Sequence, residues 1–314
     1  MFTKKQEFEI LTSIKGRGEI PMKYAYTGEG AYLWDRISRE EERGGIRSME
    51  KRLVDKRLTD FLNSFSGNKK LNVVDLGCGN GNASVPVLSR AEKMGFEVRY
   101  APFDISKEML ELASKTVHAA FPKMAIVPHE LDFEGGNFAD VTYDLSKNGY
   151  SNLFLFFGNT LGNFSDTNRV LSNFRDSMCS DDFFLIGTEL ANLSHVNLIV
   201  ERYTKSDAIR EILLNLPKKM GINDADAEYS VSWNEKEQQV EIRLKFKRDA
   251  QAKIGSEKIP LKKYEEILLV RSKKYNENSI TKLLLDVGFR NELLTTNEDR
   301  SYILTLIQPT RYSV

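Results

Sequence analysis

A short apolar run followed at once by a glycine-rich turn limits most strongly how this chain can fold. Residues 71–76 read Leu-Asn-Val-Val-Asp-Leu, and residues 77–81 read Gly-Cys-Gly-Asn-Gly. Glycines in alternate positions allow a tight turn and let a ligand approach bare backbone. We therefore predict a buried strand over 71–76 and a ligand site on the turn, although dinucleotide-binding proteins use a similar device.

Further apolar runs alternate with helical segments along the chain. Continuous apolar runs occur at 98–103, 153–157 and 183–186, whereas 107–115 and 169–178 have the periodicity of amphipathic helices. Strands that are apolar on both faces indicate a mostly parallel sheet covered by helices on both sides. We predict an α/β, Rossmann-like fold.

Two regions break this alternation. Residues 1–60 are mainly helical in pattern, and 193–275 contain strands such as 239–246, in which apolar and charged residues alternate with period two. We predict a Rossmann-like core from residues 61–192 plus 276–314. Residues 1–60 plus 193–275 would form a second, smaller α+β lobe.

Composition argues against several classes of protein. The 45 Lys and Arg residues balance 45 Asp and Glu residues, unlike the positive excess of nucleic-acid and polybasic membrane binders. No apolar run is long enough to cross a bilayer, and the charged N-terminus does not resemble a secretory signal. Two cysteines and three histidines argue against a zinc site or a disulfide scaffold. We expect a cytoplasmic protein, a monomer or weak dimer, with no metal, nucleic-acid or membrane partner.

The acid before the glycine turn separates two interpretations of that turn. The pattern from Asp75 to Gly81 is D-x-G-x-G-x-G, whereas dinucleotide-binding proteins use G-x-G-x-x-G. A carboxylate at this position would repel a pyrophosphate but tolerates the ammonium of a zwitterionic aminoacyl tail. A purely structural glycine turn is the alternative.

Two further acids fit the same ligand. Asp104 ends the second predicted strand and is placed to accept both hydroxyls of a ribose. Asp132 and Phe133 follow the third strand, where a carboxylate and a ring suit the amino group and face of an adenine. The alternatives are a helix N-cap for Asp104 and a solvated loop acid for Asp132.

Together these features resemble the class I S-adenosylmethionine-dependent methyltransferases, over roughly residues 71–190. The resemblance implies a seven-stranded sheet with its last strand antiparallel. It also implies S-adenosyl-L-methionine as cofactor and S-adenosyl-L-homocysteine as product. The expected cofactor-binding residues are Asp75, Gly77, Gly79, Gly81, Asp104, Asp132 and Phe133.

A narrower resemblance begins after the fourth predicted strand. Residues 158–163, Gly-Asn-Thr-Leu-Gly-Asn, are similar to the GSTxGN segment of the histidine-specific methyltransferase family. That family trimethylates the histidine α-amine in ergothioneine synthesis, and related fungal members methylate a prenylated tryptophan. Residues 23–37, 187–190 and 268–275 resemble further blocks of the family, in the same order.

The resemblance implies roles for individual acceptor-binding residues. Asn163 matches the asparagine that binds the acceptor α-amine, which makes it the expected catalytic residue, and Tyr203 matches a tyrosine that binds the carboxylate. Tyr26 and Ser272 match residues near the acceptor side chain. The alternatives are a turn asparagine, a helical core tyrosine and, for the last two, ordinary structural positions.

The chain departs from the family pattern in two places. Val270 stands where histidine-specific enzymes have a glutamate on the imidazole, and residues 40–47 lack an expected tyrosine. Burying an imidazole N–H without a partner costs ~1–3 kcal/mol. We therefore predict N-methylation of the α-amine of an amino acid or derivative other than histidine, with Val270 in the acceptor site.

Two other interpretations stay open at this point. The same fold could act on a protein side chain or a natural-product amine, or the chain could be a methyltransferase-like binding protein without activity. No dedicated base is evident for the proton that an α-ammonium must lose. His118, His129 and His195 are candidates by residue type only.

Overall fold

The structure is a computed structural model that describes residues 2–41, 45–65, 67–191 and 196–310. The chain divides into two compact units. The larger unit consists of residues 38–190 and 275–314, and the smaller unit consists of residues 1–37 and 191–274.

The described residues form the following helices and strands, and between α3 and β6 helices and strands largely alternate along the chain. The helices are α1 (Lys4–Arg17), α2 (Glu29–Glu41), α3 (Ile46–Asn63), α4 (Val85–Lys93), α5 (Lys107–Ala120), α6 (Ala139–Ser146), α7 (Thr167–Asp176), α8 (Val196–Lys205), α9 (Asp207–Lys219) and α10 (Glu277–Val287), with 3₁₀ turns at Met22–Tyr26 and Thr160–Asn163. The strands are β1 (Lys70–Leu76), β2 (Glu97–Asp104), β3 (Ala125–Ile126), β4 (His129–Glu130), β5 (Ser151–Phe156), β6 (Phe183–Glu189), β7 (Ala227–Asn234), β8 (Gln239–Phe246), β9 (Ala250–Ile254), β10 (Glu257–Leu261), β11 (Glu266–Lys273), β12 (Phe289–Thr296) and β13 (Tyr302–Pro309).

One twisted sheet organises the larger unit. Its strand order is β12-β13-β6-β5-β1-β2-β3, and β4 also pairs with β2. Strands β1, β2, β5 and β6 are parallel, whereas β13 is antiparallel to both of its neighbours. Because β3 and β4 pair with successive parts of β2, they occupy one position, and the sheet has seven. The predicted mostly parallel α/β fold with an antiparallel last strand is confirmed.

Helices cover both faces of this sheet, which explains the continuous apolar runs. On β5, Leu153 and Leu155 belong to one buried cluster, while Phe154 and Phe156 belong to the cluster on the opposite face. The first cluster includes residues of α3, α4 and α5, and the second includes residues of α6, α7 and α10. A strand buried on both faces has no polar side to alternate with its apolar side.

The structure corrects the N-terminal boundary predicted from the sequence. Residues 38–60 belong to the larger unit, although the sequence analysis grouped them with the smaller lobe. The reason is that Leu53, Leu58 and Phe61 of α3 are buried in the same cluster as residues of β1 and β13. An amphipathic helix shows which of its faces is buried but not which neighbour covers that face.

The smaller unit joins the chain's beginning to the segment inserted between β6 and α10. It contains the antiparallel sheet β11-β8-β7 and the hairpin β9-β10. Backbone hydrogen bonds link Gly18 and Ile20 to Leu268 of β11, and Glu19 pairs with Arg271. Within the described ranges, no helix combines the length and apolar character needed to cross a membrane.

Candidate functional site

The glycine turn after β1 is held in a left-handed backbone conformation that favours glycine. Gly77, Gly79 and Gly81 have φ values of +67°, +53° and +76°. The N–H groups of Gly77 and Cys78 both donate to the carbonyl oxygen of Phe103, at 2.8 and 3.2 Å. The turn is therefore tied to the end of β2, with its glycine backbone free of side chains.

The side chain of Asp75 connects the residues on both sides of this turn. Its Oδ2 accepts hydrogen bonds from the Ser84 hydroxyl at 2.6 Å and from the Tyr100 hydroxyl at 2.7 Å. Burial raises the pKa of the Asp75 carboxyl, and the two hydroxyl donors oppose that rise. The carboxylate thus joins β1 to β2 and to the residue before α4.

Asp104 lies beside the same turn. Burial raises the pKa of its carboxyl to about 7, while hydrogen bonds from the N–H groups of Ser106 and Gly79 lower it. The side chain therefore contacts the glycine turn directly. It also accepts the N–H of Ser106. The N-cap residue of α5 is Ser106, so the alternative that Asp104 itself caps this helix is wrong.

The structure places Phe133 against the turn as well. Its ring lies 3.9 Å from the point that a Cβ on Gly77 would occupy, and it packs edge-on against Phe174 with 5.5 Å between ring centroids. Asp132 accepts the N–H of Glu134 at 3.1 Å and so closes a local turn. Strand β4 places Glu130 level with Asp104, so Asp132 lies just beyond the carboxyl end of β2.

Asn163 ends the 3₁₀ turn that follows β5. It is half-buried, and among the described residues its side-chain amide has no hydrogen-bond partner. Two buried acids that the sequence analysis missed contact the start of this segment, Glu50 at Gly158 and Glu189 at Asn159. Nothing in the local sequence around either glutamate indicates these contacts, since both partners are distant along the chain.

In the smaller unit, Tyr203 and Ser272 lie together. Their hydroxyl oxygens are 3.0 Å apart, and the Lys274 ammonium donates to Ser272 at 2.9 Å and to Tyr203 at 3.3 Å. Lys274 is only 2% exposed and was not predicted. Its position two residues after Ser272 was the available signal, because alternate residues of a strand share a face.

Val270 shares that face of β11. It is buried opposite Ile242 of β8, and Ser272 lies opposite Val240. Tyr26 ends the 3₁₀ turn Met22–Tyr26 and is half-buried.

The two histidines that the structure describes lie on separate elements, α5 and β4. His118 is exposed on α5, and the half-buried His129 packs against Phe103 with 4.8 Å between ring centroids. His195 lies outside the described residues, as do residues 42–44 of the stretch that lacks the expected tyrosine.

This sheet topology, with a reversed final strand and a glycine turn that meets an acid on the next strand, is that of the Rossmann-like class I S-adenosylmethionine-dependent methyltransferases. Within this class, the chain belongs to the family of histidine-specific, SAM-dependent methyltransferases, whose model matches residues 6–309. It is therefore an enzyme that uses S-adenosylmethionine as methyl donor.

The chain is also similar to individual methyltransferases. The chain is 23% identical to histidine N-alpha-methyltransferase of Mycolicibacterium smegmatis over 298 residues, covering 91% of this chain and 89% of that protein. It is also 23% identical to the N-methyltransferase imqF of Aspergillus flavus, covering 94% and 82% of the two chains. The structure of an S-adenosylmethionine-dependent methyltransferase from Clostridium acetobutylicum has a TM-score of 0.48 and 11% identity, covering 88% of this chain and 99% of the other.

Replacing Gly81 by alanine should weaken binding of S-adenosylhomocysteine. A Cβ there would lie 3.0 Å from the Cα and the carbonyl oxygen of Ala113, so the turn or the backbone of α5 has to shift by a few tenths of an ångström. The matched control is Gly95→Ala, because Gly95 has a similar φ of +82° but open space around it. Each change should cost ~1–2 kcal/mol of unfolding free energy from the backbone conformation alone.

Only Gly81→Ala should also lower the affinity for S-adenosylhomocysteine, by about tenfold or more, which corresponds to at least ~1.4 kcal/mol. Urea unfolding and titration calorimetry measure the two effects separately. An equal loss of affinity in Gly95→Ala would contradict the placement of the ligand on the turn.

Proposed function

We propose that this enzyme methylates the α-amine of a free amino acid or amino-acid derivative other than histidine. The family supports N-methylation, and the name of the M. smegmatis relative specifies an α-amine as the acceptor of that protein. The observation that carries the proposal is the group of Tyr203, Ser272 and Lys274 next to an apolar Val270.

The three polar side chains suit a carboxylate. An ammonium has no lone pair, so both hydroxyls accept from Lys274. Only one hydroxyl can donate across the 3.0 Å contact between Tyr203 and Ser272, and the other keeps its proton for another acceptor. A positive charge beside an available O–H forms charge-assisted hydrogen bonds with an anion.

The neighbouring Val270 argues against histidine as the acceptor. Its side chain offers no hydrogen-bond acceptor to an imidazole N–H, and a buried N–H without a partner costs ~1–3 kcal/mol. An apolar or aromatic acceptor side chain has no such requirement. We infer that this position selects the acceptor.

On the donor side, we propose that the residues of the larger unit bind S-adenosylmethionine. Gly77, Gly79 and Gly81 would bring bare backbone to its aminoacyl tail, with the Asp75 carboxylate beneath them. Asp104 would accept the ribose hydroxyls, and Asp132 and Phe133 would contact the adenine. The sulfonium supplies an activated methyl group, so the protein needs chiefly to orient the nucleophile and exclude water.

Asn163 would orient the acceptor amine. Its amide oxygen can accept an N–H bond and so direct the nitrogen lone pair. Because this amide has no partner among the described residues, accepting the amine breaks no existing bond there. A small-molecule acceptor also agrees with the balanced charge of the chain.

A donor-consumption assay across the free L-amino acids tests the proposal. We expect turnover with at least one amino acid other than histidine. Asn163→Ala should reduce that turnover by about 100-fold, because orientation of the nucleophile is lost, while the affinity for S-adenosylhomocysteine stays within about threefold.

The carboxamide of the preferred amino acid is the matched control for the carboxylate and should react at least about tenfold more slowly. Silence across all amino acids would favour an acceptor on a protein side chain or a natural-product amine. Loss of both turnover and cofactor binding in Asn163→Ala would mean structural damage instead of a role in orientation.

Val270→Glu should move the preference towards histidine. A carboxylate at this position can accept the imidazole N–H, which is worth ~1–3 kcal/mol, or about 5- to 150-fold in the ratio of kcat/KM values for histidine and the preferred acceptor. Val270→Leu keeps an apolar side chain and controls for the change in size. A folded Val270→Glu variant with an unchanged ratio would contradict the role of Val270.

Cofactor affinity should rise with pH because of Asp104. Ribose hydroxyls donate to the ionised carboxylate, and its pKa of about 7 means that ionisation of the free enzyme is nearly complete only above that value. The Kd for S-adenosylhomocysteine should therefore fall by about tenfold between pH 6 and pH 8. Asp104→Asn should bind more weakly at pH 8 and lose this pH dependence, and calorimetry of both proteins measures it. A flat profile for the unsubstituted enzyme would contradict the ribose contact.

A further inference from the structure

Glu50 connects α3 to the segment that carries Asn163. Its side chain is buried, with 3% exposure, and its Oε2 accepts the N–H of Gly158 at 2.6 Å. The same oxygen accepts the hydroxyl of Tyr302 on β13. Gly158 is the second residue after β5 and has a φ of +83°. One carboxylate therefore fixes the start of residues 158–163 relative to α3 and β13.

Gly187 makes room for this arrangement. Tyr302 is fully buried, and a Cβ on Gly187 would lie 2.5 Å from the Tyr302 hydroxyl. A side chain at position 187 would displace the hydroxyl and break its bond to Glu50. Glycine at position 187 of β6 is therefore required for the hydrogen bond between Tyr302 and Glu50.

Glu189 holds the next residue of the segment. It lies at the end of β6 with 6% exposure, and its Oε2 accepts the Asn159 amide at 2.9 Å. Residues 187–190 therefore contribute twice, once through the space at Gly187 and once through the carboxylate of Glu189. Two successive residues, Gly158 and Asn159, are each bound to a buried carboxylate.

Carboxylates suit this task because one oxygen can accept two donors that come from different elements. Such bonds from N–H and O–H groups are shorter and stronger than bonds between neutral groups. Burial raises the pKa of Glu50, and the positive charge of Arg47 and the two donors oppose that rise. Removing the carboxyl group would leave the Gly158 N–H and the Tyr302 hydroxyl buried without this acceptor.

We propose that Glu50 and Glu189 are positioning residues for methyl transfer. They fix the backbone of residues 158–163 so that the Asn163 amide meets the acceptor in one orientation. Neither acid touches the reacting atoms. This inference rests on the proposed function, in which Asn163 binds the acceptor amine.

The kinetic test compares Glu50→Leu, Glu50→Gln and Asp182→Asn, using the free amino acid that the enzyme methylates fastest. Glu50→Leu should lower kcat by about 100-fold, since a displacement near 1 Å has that effect, with the Kd for S-adenosylhomocysteine within about threefold. Glu50→Gln keeps an oxygen for the Gly158 N–H and should recover kcat to within about fivefold of the unsubstituted enzyme.

Asp182→Asn is the matched control. Asp182 is also a buried acid of the larger unit, and it accepts the N–H groups of Asn152 and Cys179, away from residues 158–163. Its replacement should lower the melting temperature and leave kcat within about threefold. A loss of kcat in Asp182→Asn equal to that in Glu50→Leu would reduce the effect to general destabilisation and overturn the proposal.

A spectroscopic readout needs no acceptor. Phe157-Gly158 is the only Phe-Gly pair in the sequence, so carbonyl-¹³C phenylalanine with ¹⁵N glycine gives one cross peak, from the Gly158 amide. Its proton should resonate far downfield because of the short bond to a carboxylate. The Gly158 cross peak should move upfield in Glu50→Leu and stay in place in Asp182→Asn. The contact between Glu189 and Asn159 is tested separately, by the kcat of Glu189→Ala.

The outcomes test the positioning role of the two acids and the proposed function separately. A Glu50→Leu enzyme that keeps its kcat within threefold, or a cross peak that does not move, overturns the positioning role while the proposed function stands. Silence across the amino-acid panel, with the cross peak responding as expected, overturns the proposed function and with it the positioning role of the two acids in methyl transfer.

Discussion

The donor side of this enzyme depends on the buried carboxylate of Asp75. A glycine turn has no side chains with which to hold itself, so its shape must come from neighbouring groups. Asp75 supplies this by accepting hydrogen bonds from Ser84, beyond the turn, and from Tyr100 on the adjacent strand. Because a buried carboxylate without donors is strongly destabilising, these three residues function as a set. The glycines give the turn its conformation, and Asp75 ties its two ends together.

The same device recurs along the carboxyl edge of the sheet. Asp104 accepts backbone N–H groups beside the glycine turn, Glu50 accepts the N–H of Gly158, and Glu189 accepts the Asn159 amide. Burial raises the pKa of Asp104 and of Glu50, and the donors around each carboxylate oppose that rise. Acids are therefore used at this edge to fix backbone geometry in the segments proposed to bind the donor and the acceptor.

The smaller unit combines a charged group with apolar neighbours on one face of its sheet. Ser272 and Lys274 come two and four residues after Val270, which lies opposite Ile242, and Tyr203 of α8 contacts both of them. This arrangement suits a ligand that is anionic at one end and apolar at the other, as most free amino acids with apolar side chains are. An acceptor amine without a carboxylate would make no use of the Lys274 ammonium. This is the physical basis for choosing free amino acids and their derivatives as the acceptor class.

The sequence by itself determined the fold class and the glycine turn, because both depend on local patterns: apolar runs on strands buried from both faces, and glycines where φ is positive. The break in this alternation also placed Tyr203 and Ser272 in one predicted lobe, residues 1–60 plus 193–275. Only the tertiary structure assigned α3 to the sheet, formed the β9-β10 hairpin, and joined Glu50 to Gly158 across 108 residues and Lys274 to Tyr203 across 71. A helix or strand pattern fixes which face is buried, whereas the partner on that face is chosen by packing between distant parts of the chain.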